Sequence, residues 1–206
     1  LSCSGSHAVT INAEGSVQDV FGVDKALTAE GTGTVAVHVT ASDTARYIYG
    51  VYSNVTANQS SGGKLTITVN TSADPGTGDY YAWGVYNTLT QSGTGAVQVN
   101  VTQTSPGTIR YVCGVRQLTV ENSGTVVVKA DGGGTASSAG AIWNTVTTTG
   151  DIGSVSLKGV NAEHATGCGA IPSLQHTNGS ITFEGDTYGL AQGPADASGF
   201  MVNGSP

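Results

Sequence analysis

Charged residues are scarce in this chain. Only 10% of the 206 residues are Asp, Glu, Lys or Arg, and fourteen acidic residues outnumber seven basic ones, giving a net charge of −7. The sequence therefore lacks the basic clusters by which proteins bind nucleic acids or anionic membranes. No apolar stretch approaches the roughly 18 residues of a membrane-spanning helix. We expect neither a nucleic-acid partner nor membrane insertion, and neutral partners suit this composition better.

Recognisable catalytic and metal-binding motifs are also missing. The three cysteines are odd in number, which does not suit a disulfide framework, and the four histidines are scattered singly. No phosphate-binding loop or EF-hand is present. The acidic residues lie on separate turns, whereas glycoside hydrolysis needs paired carboxylates. We predict no catalytic residue and no cofactor, although a calcium ion near Asp74 and Asp79 stays open without a motif that indicates it.

Glycine, by contrast, is abundant, with 31 residues, and it marks an internal repeat. The pattern G-x-φ-x-φ-x-φ, in which φ is apolar or small, recurs at steps of 30, 32, 29, 29 and 26 residues. An imperfect earlier copy, HAVTINA, begins at His7, with His in the place of glycine. A period of this length is typical of solenoid proteins. The other copies begin at Gly33, Gly63, Gly95, Gly124, Gly153 and Gly179.

A second motif lies between successive copies of the first. It consists of an aromatic or small residue, then glycine, then an apolar residue. Four to six residues after that glycine, another apolar residue, usually followed by Thr, predicts a short third strand. The second-motif glycines are Gly22, Gly50, Gly84, Gly114, Gly140 and Gly169. The third-strand residues are Leu27, Val55, Leu89, Leu118, Val146 and Leu174.

Three short alternating segments per repeat predict a stacked architecture. Such segments cannot bury their apolar faces alone, but they can when equivalent segments stack about 4.8 Å apart in parallel sheets. The sequence therefore predicts an all-β fold, a single-stranded right-handed parallel β-helix of about six to seven coils, each of 26–32 residues. We assign residues 1–191 to this domain and residues 192–206 to a C-terminal cap or tail.

Alternation along the second motif predicts which residues face inward. Tyr49 and Val51 share one face, so the residues before the glycines should form a stacked core, with the glycines outward as a shallow trough. The alternative is that the glycines only allow a turn or tail to approach closely. The predicted inward column is Phe21, Tyr49, Trp83, Cys113, Ala139 and Cys168, joined by Tyr47, Tyr81 and Tyr111.

The trough is the best candidate ligand site in the sequence. Residues that follow the second motif flank the glycines on the outward face. Tyr52 and Tyr86 can stack on a sugar ring, while Arg116 and Asp24 hydrogen-bond its hydroxyls. The predicted ligand-binding residues are therefore Tyr52, Tyr86, Arg116 and Asp24.

The repeats resemble those of secreted bacterial right-handed parallel β-helix proteins, which include adhesin-like and carbohydrate-binding surface proteins. The resemblance rests on the pairing of YGVYSNVT with GGKLTITV and of WGVYNTLT with GAVQVNVT, and it extends from about Gly5 to Ala191. It implies an extracellular location, secreted or attached to the cell surface. It also implies a polysaccharide, or a glycan or protein of a host or cell surface, as the partner, and it leaves the oligomeric state open.

Two alternatives to a non-catalytic adhesin or carbohydrate-binding module stay open. A lyase or glycoside hydrolase of the β-helix type would need two or three carboxylates on one sheet face within about 10 Å of one another. A purely structural surface repeat would need no ligand site at all.

Overall fold

The computed structural model describes residues 1–104, 106–149, 152–166, 170–174, 180–184 and 200–202, and their side chains in 1–104, 106–149, 152–163 and 180–182. Within these residues every regular element is a β-strand, and no helix is long and apolar enough to cross a membrane. The strands pair in parallel and stack into a β-solenoid of about six turns. The predicted all-β parallel solenoid is confirmed.

Two sheets contain all the described strands. In chain order, the strands are β1 (Ser2–Cys3), β2 (His7–Ala13), β3 (Asp19–Val23), β4 (Leu27–Gly31), β5 (Thr34–Ala41), β6 (Tyr47–Val51), β7 (Val55–Gln59), β8 (Lys64–Thr71), β9 (Tyr81–Gln91), β10 (Ala96–Gln103), β11 (Tyr111–Val120), β12 (Val126–Asp131), β13 (Ser138–Thr148), β14 (Ser154–Val160), β15 (His164–Thr166), β16 (Ala170–Leu174), β17 (Ser180–Glu184) and β18 (Phe200–Val202). The first-motif sheet has the order β18-β17-β14-β12-β10-β8-β5-β2. The second-motif sheet holds the other strands, and in β9, β11 and β13 the second and third segments of a coil form one continuous strand.

Aliphatic side chains from both sheets fill the space between them. In the first-motif sheet Val37 pairs with Ile67, which pairs with Val99 in the next coil, and all three side chains are fully buried. The alternate residues, such as Ala36 and Thr66, are only partly buried. This period-2 pattern explains the register, because a shift of one residue would move every valine to solvent.

Three copies of the repeat have a different register from the one that the sequence predicted. Leu174, predicted as the third-strand equivalent of Val146, pairs instead with Thr148. His7 pairs with Val35, so Gly5, and not His7, occupies the position of Gly33. Gly140 pairs with Cys113, which places Ala141 opposite Gly114. At β13 the buried residues Ala139 and Ile142 lie opposite Val112 and Val115, and this match of core-facing residues explains the shift of one residue. The shift at His7 is two residues, so the same side chains of β2 face inward in either register.

The second-motif glycines face the core, which shows that the predicted outward trough was wrong. A Cβ on Gly50 would lie 2.5 Å from Cγ2 of Ile67, in the opposite sheet. Ile48 and Val51 are also fully buried in the core, so the two consecutive residues Gly50 and Val51 both face inward. Strict alternation therefore fails at Gly50, and Tyr49 lies on the outer face of its sheet.

The same correction applies along the whole column. Phe21, Tyr49, Trp83 and Cys113 form a cluster separate from the aliphatic core, and Tyr47, Tyr81 and Tyr111 pack against that cluster. Ala139 is the exception, because it pairs with Val112 and is buried in the core. Cys168 lies outside the described residues.

Strand β18 pairs in parallel with β17 and adds a further strand to the first-motif sheet. It falls within residues 192–206, for which a cap or tail was predicted. The division of the chain at residue 191 and the right-handed sense of the coils both stay predictions.

The close approach at Gly50 gives a direct test of the orientation of this motif. Gly50→Ala should lower the free energy of unfolding by about 1–3 kcal/mol, since the new methyl group overpacks against Ile67. Urea unfolding followed by circular dichroism measures this loss. Gly5→Ala is the matched control, because its nearest contact would be Nε2 of His7 at 3.7 Å, and it should change stability by no more than about 0.5 kcal/mol. Equal effects of the two substitutions would contradict an inward Gly50.

Candidate ligand-binding pocket

Every aromatic residue whose side chain the structure describes belongs to one connected cluster of rings outside the aliphatic core. The cluster continues through edge and face contacts from Phe21 on β3 to Trp143 on β13. Large aromatic groups are usually a main contributor to a protein core. The ring cluster consists of Phe21, Tyr47, Tyr49, Tyr52, Tyr80, Tyr81, Trp83, Tyr86, Tyr111 and Trp143.

The spacing of the coils places equivalent rings in stacks. The rings of Tyr52 and Tyr86 are parallel to within 2°, with centroids 5.0 Å apart. Those of Tyr81 and Tyr111 lie 5.1 Å apart at 18°. These separations match the distance between neighbouring parallel strands, about 4.8 Å. Each ring in a stack therefore covers the face of its neighbour. Ring edges and hydroxyl groups remain for contacts with a ligand.

The stacks surround a pocket of about 300 Å³ on the outer face of the second-motif sheet. Tyr49 and Trp83 lie in the middle one of three residue columns on this face. The other lining residues lie in the columns on either side of it. The strand register places Tyr47 and Tyr81 on one side, two residues before the middle column. The complete lining is Tyr47, Tyr49, Tyr81, Trp83, Tyr86, Arg116 and Trp143.

Arg116 supplies the positive charge of the pocket. Its Cζ atom lies 5.7 Å from the centre of the Tyr86 ring, which continues the stack of Tyr52 and Tyr86 by one more coil. The side chain is exposed, and among the described residues no carboxylate forms an ion pair with it. The guanidinium group is thus held by a ring and keeps its hydrogen-bond donors for other partners.

Trp143 and Trp83 form the end of the pocket on the side of β13. Trp143 is 45% exposed, and its ring meets the ring of Trp83 edge-on at 5.8 Å. Trp83 is only 3% exposed, and its Nε1 donates to no acceptor among the described protein residues. An indole N–H buried without an acceptor costs about 1–3 kcal/mol.

Burial favours the uncharged form of the Tyr49 and Tyr81 phenols. It raises the pKa of Tyr49, and the neighbouring Tyr86 and Asp19 raise it further. Burial and the nearby Asp79 also raise the pKa of Tyr81. The phenols therefore stay protonated at neutral pH and both donate and accept hydrogen bonds. Burial also raises the pKa of the Cys113 thiol, which does not act as a thiolate nucleophile at neutral pH.

The structure brings together two of the four residues that the sequence predicted as a site. Tyr86 and Arg116 both line the pocket. Tyr52 stacks on the other face of Tyr86 and supports it from outside the lining. Asp24 belongs to the same column, beyond Tyr52, and forms an ion pair with its neighbour Lys25 at 3.2 Å, so it does not reach the pocket.

Sequence reasoning missed Trp143, and it assigned four other lining residues to the core: Tyr47, Tyr49, Tyr81 and Trp83. Counting from Gly140, the pattern puts Ile142 in the outward column of Arg116, but Ile142 pairs with Val115 and is buried in the core. Trp143 therefore occupies the position of Arg116 one coil further along. Aligning Ile142, instead of Ala141, with Val115 would have placed Trp143 in the column of Arg116.

The acidic residues that we considered for calcium have protein partners. Asp74 accepts a hydrogen bond of 2.6 Å from Oγ1 of Thr108, and Asp79 forms an ion pair with Arg110. In the part of the chain that the structure describes, no three His, Cys, Asp or Glu side chains group as metal ligands do. The expectation of no cofactor stays a prediction, with calcium near Asp74 and Asp79 still open. No described carboxylate lines the aromatic pocket either.

Comparisons of the chain with protein-family models, with curated proteins and with solved structures give no match. The chemistry of the pocket therefore has to be interpreted from its own residues.

The raised pKa of Tyr49 predicts a loss of stability in alkali. Tyrosine in the unfolded chain ionises at its ordinary pKa of 10.0, whereas folded Tyr49 stays protonated to a higher pH. The stabilisation is therefore complete below pH 10.0 and is lost as the pH rises through the folded pKa. Urea unfolding at several pH values should show the free energy of unfolding falling above about pH 10, and falling less steeply in Tyr49→Phe. An equally steep fall in both proteins would contradict a buried phenol at this position.

Proposed function

We propose that this chain is a non-catalytic carbohydrate-binding β-solenoid of the adhesin-like kind, secreted or attached to a cell surface. The observation that carries the proposal is the aromatic pocket on the outside of a solenoid whose core is aliphatic. The proposed partner is a polysaccharide or a glycan of a host or cell surface. The proposal places the chain with the secreted bacterial parallel β-helix proteins that its repeats resemble.

The position of the aromatic residues supports a binding role. The core between the sheets consists of Val, Ile, Leu and Ala side chains together with Cys3, so the solenoid does not need the rings to fill its interior. Two rings of the cluster, Tyr52 and Trp143, are exposed, and exposed rings lose less water and contribute less to folding than buried ones. A contiguous aromatic patch at the surface instead marks an interaction site.

The chemistry of the lining suits a sugar. A saccharide presents apolar C–H groups beside many hydroxyl groups, and the pocket offers aromatic surface beside phenol hydroxyls and a guanidinium group. Protonated phenols such as Tyr49 and Tyr81 can donate to one sugar oxygen and accept from another. The lining residues are on β-strands of a stacked sheet, which holds them in place before binding and lowers the entropic cost.

The lining also favours binding over hydrolysis at this pocket. Hydrolysis of a glycosidic bond needs an acid and a second carboxylate about 5–9.5 Å apart, and the lining consists of Tyr, Trp and Arg residues. An enzyme would need carboxylates at another place in the fold.

A glycan array probed with three proteins tests the proposal. Trp143→Ala should weaken binding to the preferred glycan at least about tenfold, because it removes an exposed ring from the pocket wall. Tyr52→Ala is the matched control: it deletes another exposed ring of the same cluster that lies outside the lining, and it should weaken binding less. Circular dichroism establishes that both variants remain folded.

Binding by the wild-type chain, lost selectively in Trp143→Ala, would support the proposal. If the wild-type chain bound no glycan, or if Tyr52→Ala lost binding while Trp143→Ala retained it, the pocket would not be a sugar site. In the first case a purely structural surface repeat would be the better interpretation, and in the second the glycan would bind beside Tyr52, outside the pocket.

A further inference from the structure

We propose that the pocket selects an acidic sugar, with the carboxylate of that sugar bound by Arg116. This inference rests on the proposed carbohydrate-binding function and specifies the class of saccharide. It follows from the charge, the contacts and the position of Arg116 within an otherwise uncharged pocket.

Arg116 differs from the other arginines of the chain in having no counter-charge within the pocket it lines. Arg110 also lies over a tyrosine ring, 5.4 Å from the centre of Tyr111, but Asp79 forms an ion pair with it. Arg46 lies over Tyr80, 5.5 Å from its centre, and is not part of the lining. Arg116 is thus the arginine that combines a place in the pocket with a charge that no described carboxylate neutralises.

The way Arg116 is held suits recognition of a carboxylate. A guanidinium group that lies against a ring face keeps its N–H donors around its edge, where a carboxylate accepts two of them side by side. Tyr86 supports the guanidinium group on that face, and Tyr52 supports Tyr86 in turn. A neutral sugar hydroxyl would use only part of this donor set and would leave the charge without a partner.

The surroundings of Arg116 favour an isolated acidic sugar over a polyanionic chain. The net charge of −7 repels a long polyanion at distances up to about 8 Å, the screening length at physiological salt. Asp19, which lies close enough to Tyr49 to raise its pKa, adds a negative charge beside the pocket. The pocket volume of about 300 Å³ is at the small end of the range for ligand sites, about 300–1,000 Å³. These features suit one acidic unit at the end or at a branch of an otherwise neutral glycan.

Matched ligands and matched variants separate the effect of the saccharide's charge on affinity from the effect of its shape. The ligands are galacturonate, its methyl ester and galactose, together with glucuronate and glucose and with N-acetylneuraminate. The proteins are the wild-type chain, Arg116→Gln and Arg110→Gln, which both lose one positive charge, and Arg116→Lys. Isothermal titration calorimetry measures each affinity at low and at physiological salt.

The wild-type chain should bind at least one acid about tenfold or more tightly than its neutral counterpart, a preference expected for a charge-assisted bidentate hydrogen bond. Arg116→Gln should reduce this ratio to about one, Arg110→Gln should leave it unchanged, and Arg116→Lys should restore part of it.

Two different results would overturn this inference. Neutral saccharides that bind as tightly as their acids, with no effect of Arg116→Gln on the ratio, would refute the acidic-sugar selection and leave the carbohydrate-binding function in place. The absence of binding to any saccharide, acidic or neutral, would refute both proposals together.

Discussion

The close approach of the two sheets at the second-motif glycines determines how the rest of the surface is built. At Gly22, Gly50 and Gly84 there is no room for a side chain, because valine and isoleucine side chains of the first-motif sheet pack directly against the glycine backbone. The next residue, such as Val51, also faces inward. Because the chain contributes two consecutive residues to the core, the bulky residue before each glycine must lie on the outside.

Stacking then turns this local constraint into a site. Each coil repeats the arrangement about 4.8 Å further along, so tyrosines of successive coils form stacks with occupied faces. The stacks end where the aromatic residues give way to smaller or charged ones, as at Cys113 in the middle column and Arg116 in the neighbouring column. The pocket forms at this change, with Trp143 at its far side. A regular repeat with a few irregular residues thus gives a local pocket among the stacked rings.

The sequence predicted the solenoid and the register of the first-motif sheet from β5 to β17, because each of these coils carries the same alternating pattern. Val35, Val37 and Val39 lie opposite Leu65, Ile67 and Val69 as the motif predicted. The faces of the second motif were not predictable in this way, since the distance between the sheets depends on side chains such as Ile67 that are far from Gly50 in the chain.

The residues of the candidate site were likewise predictable only in part. Tyr86 and Arg116 were predicted because the residue after Val85 and Val115 faces outward whichever way the glycine points. Trp143 was missed because β13 carries alanine where β9 and β11 carry glycine, which moved the alignment by one residue. A register irregularity between Val115 and Gln117 adds to the ambiguity in these strands.

Tryptophan fluorescence tests the central claim, an aromatic pocket that faces outward and binds a saccharide, most directly. The chain has two tryptophans, Trp83 and Trp143, and both line the pocket, so the emission of the protein reports on that pocket alone. Titration with a saccharide that calorimetry shows to bind should change the emission in a saturable way, with the same dissociation constant by both methods. Unchanged emission during saturable binding would place the ligand elsewhere on the solenoid and contradict the account.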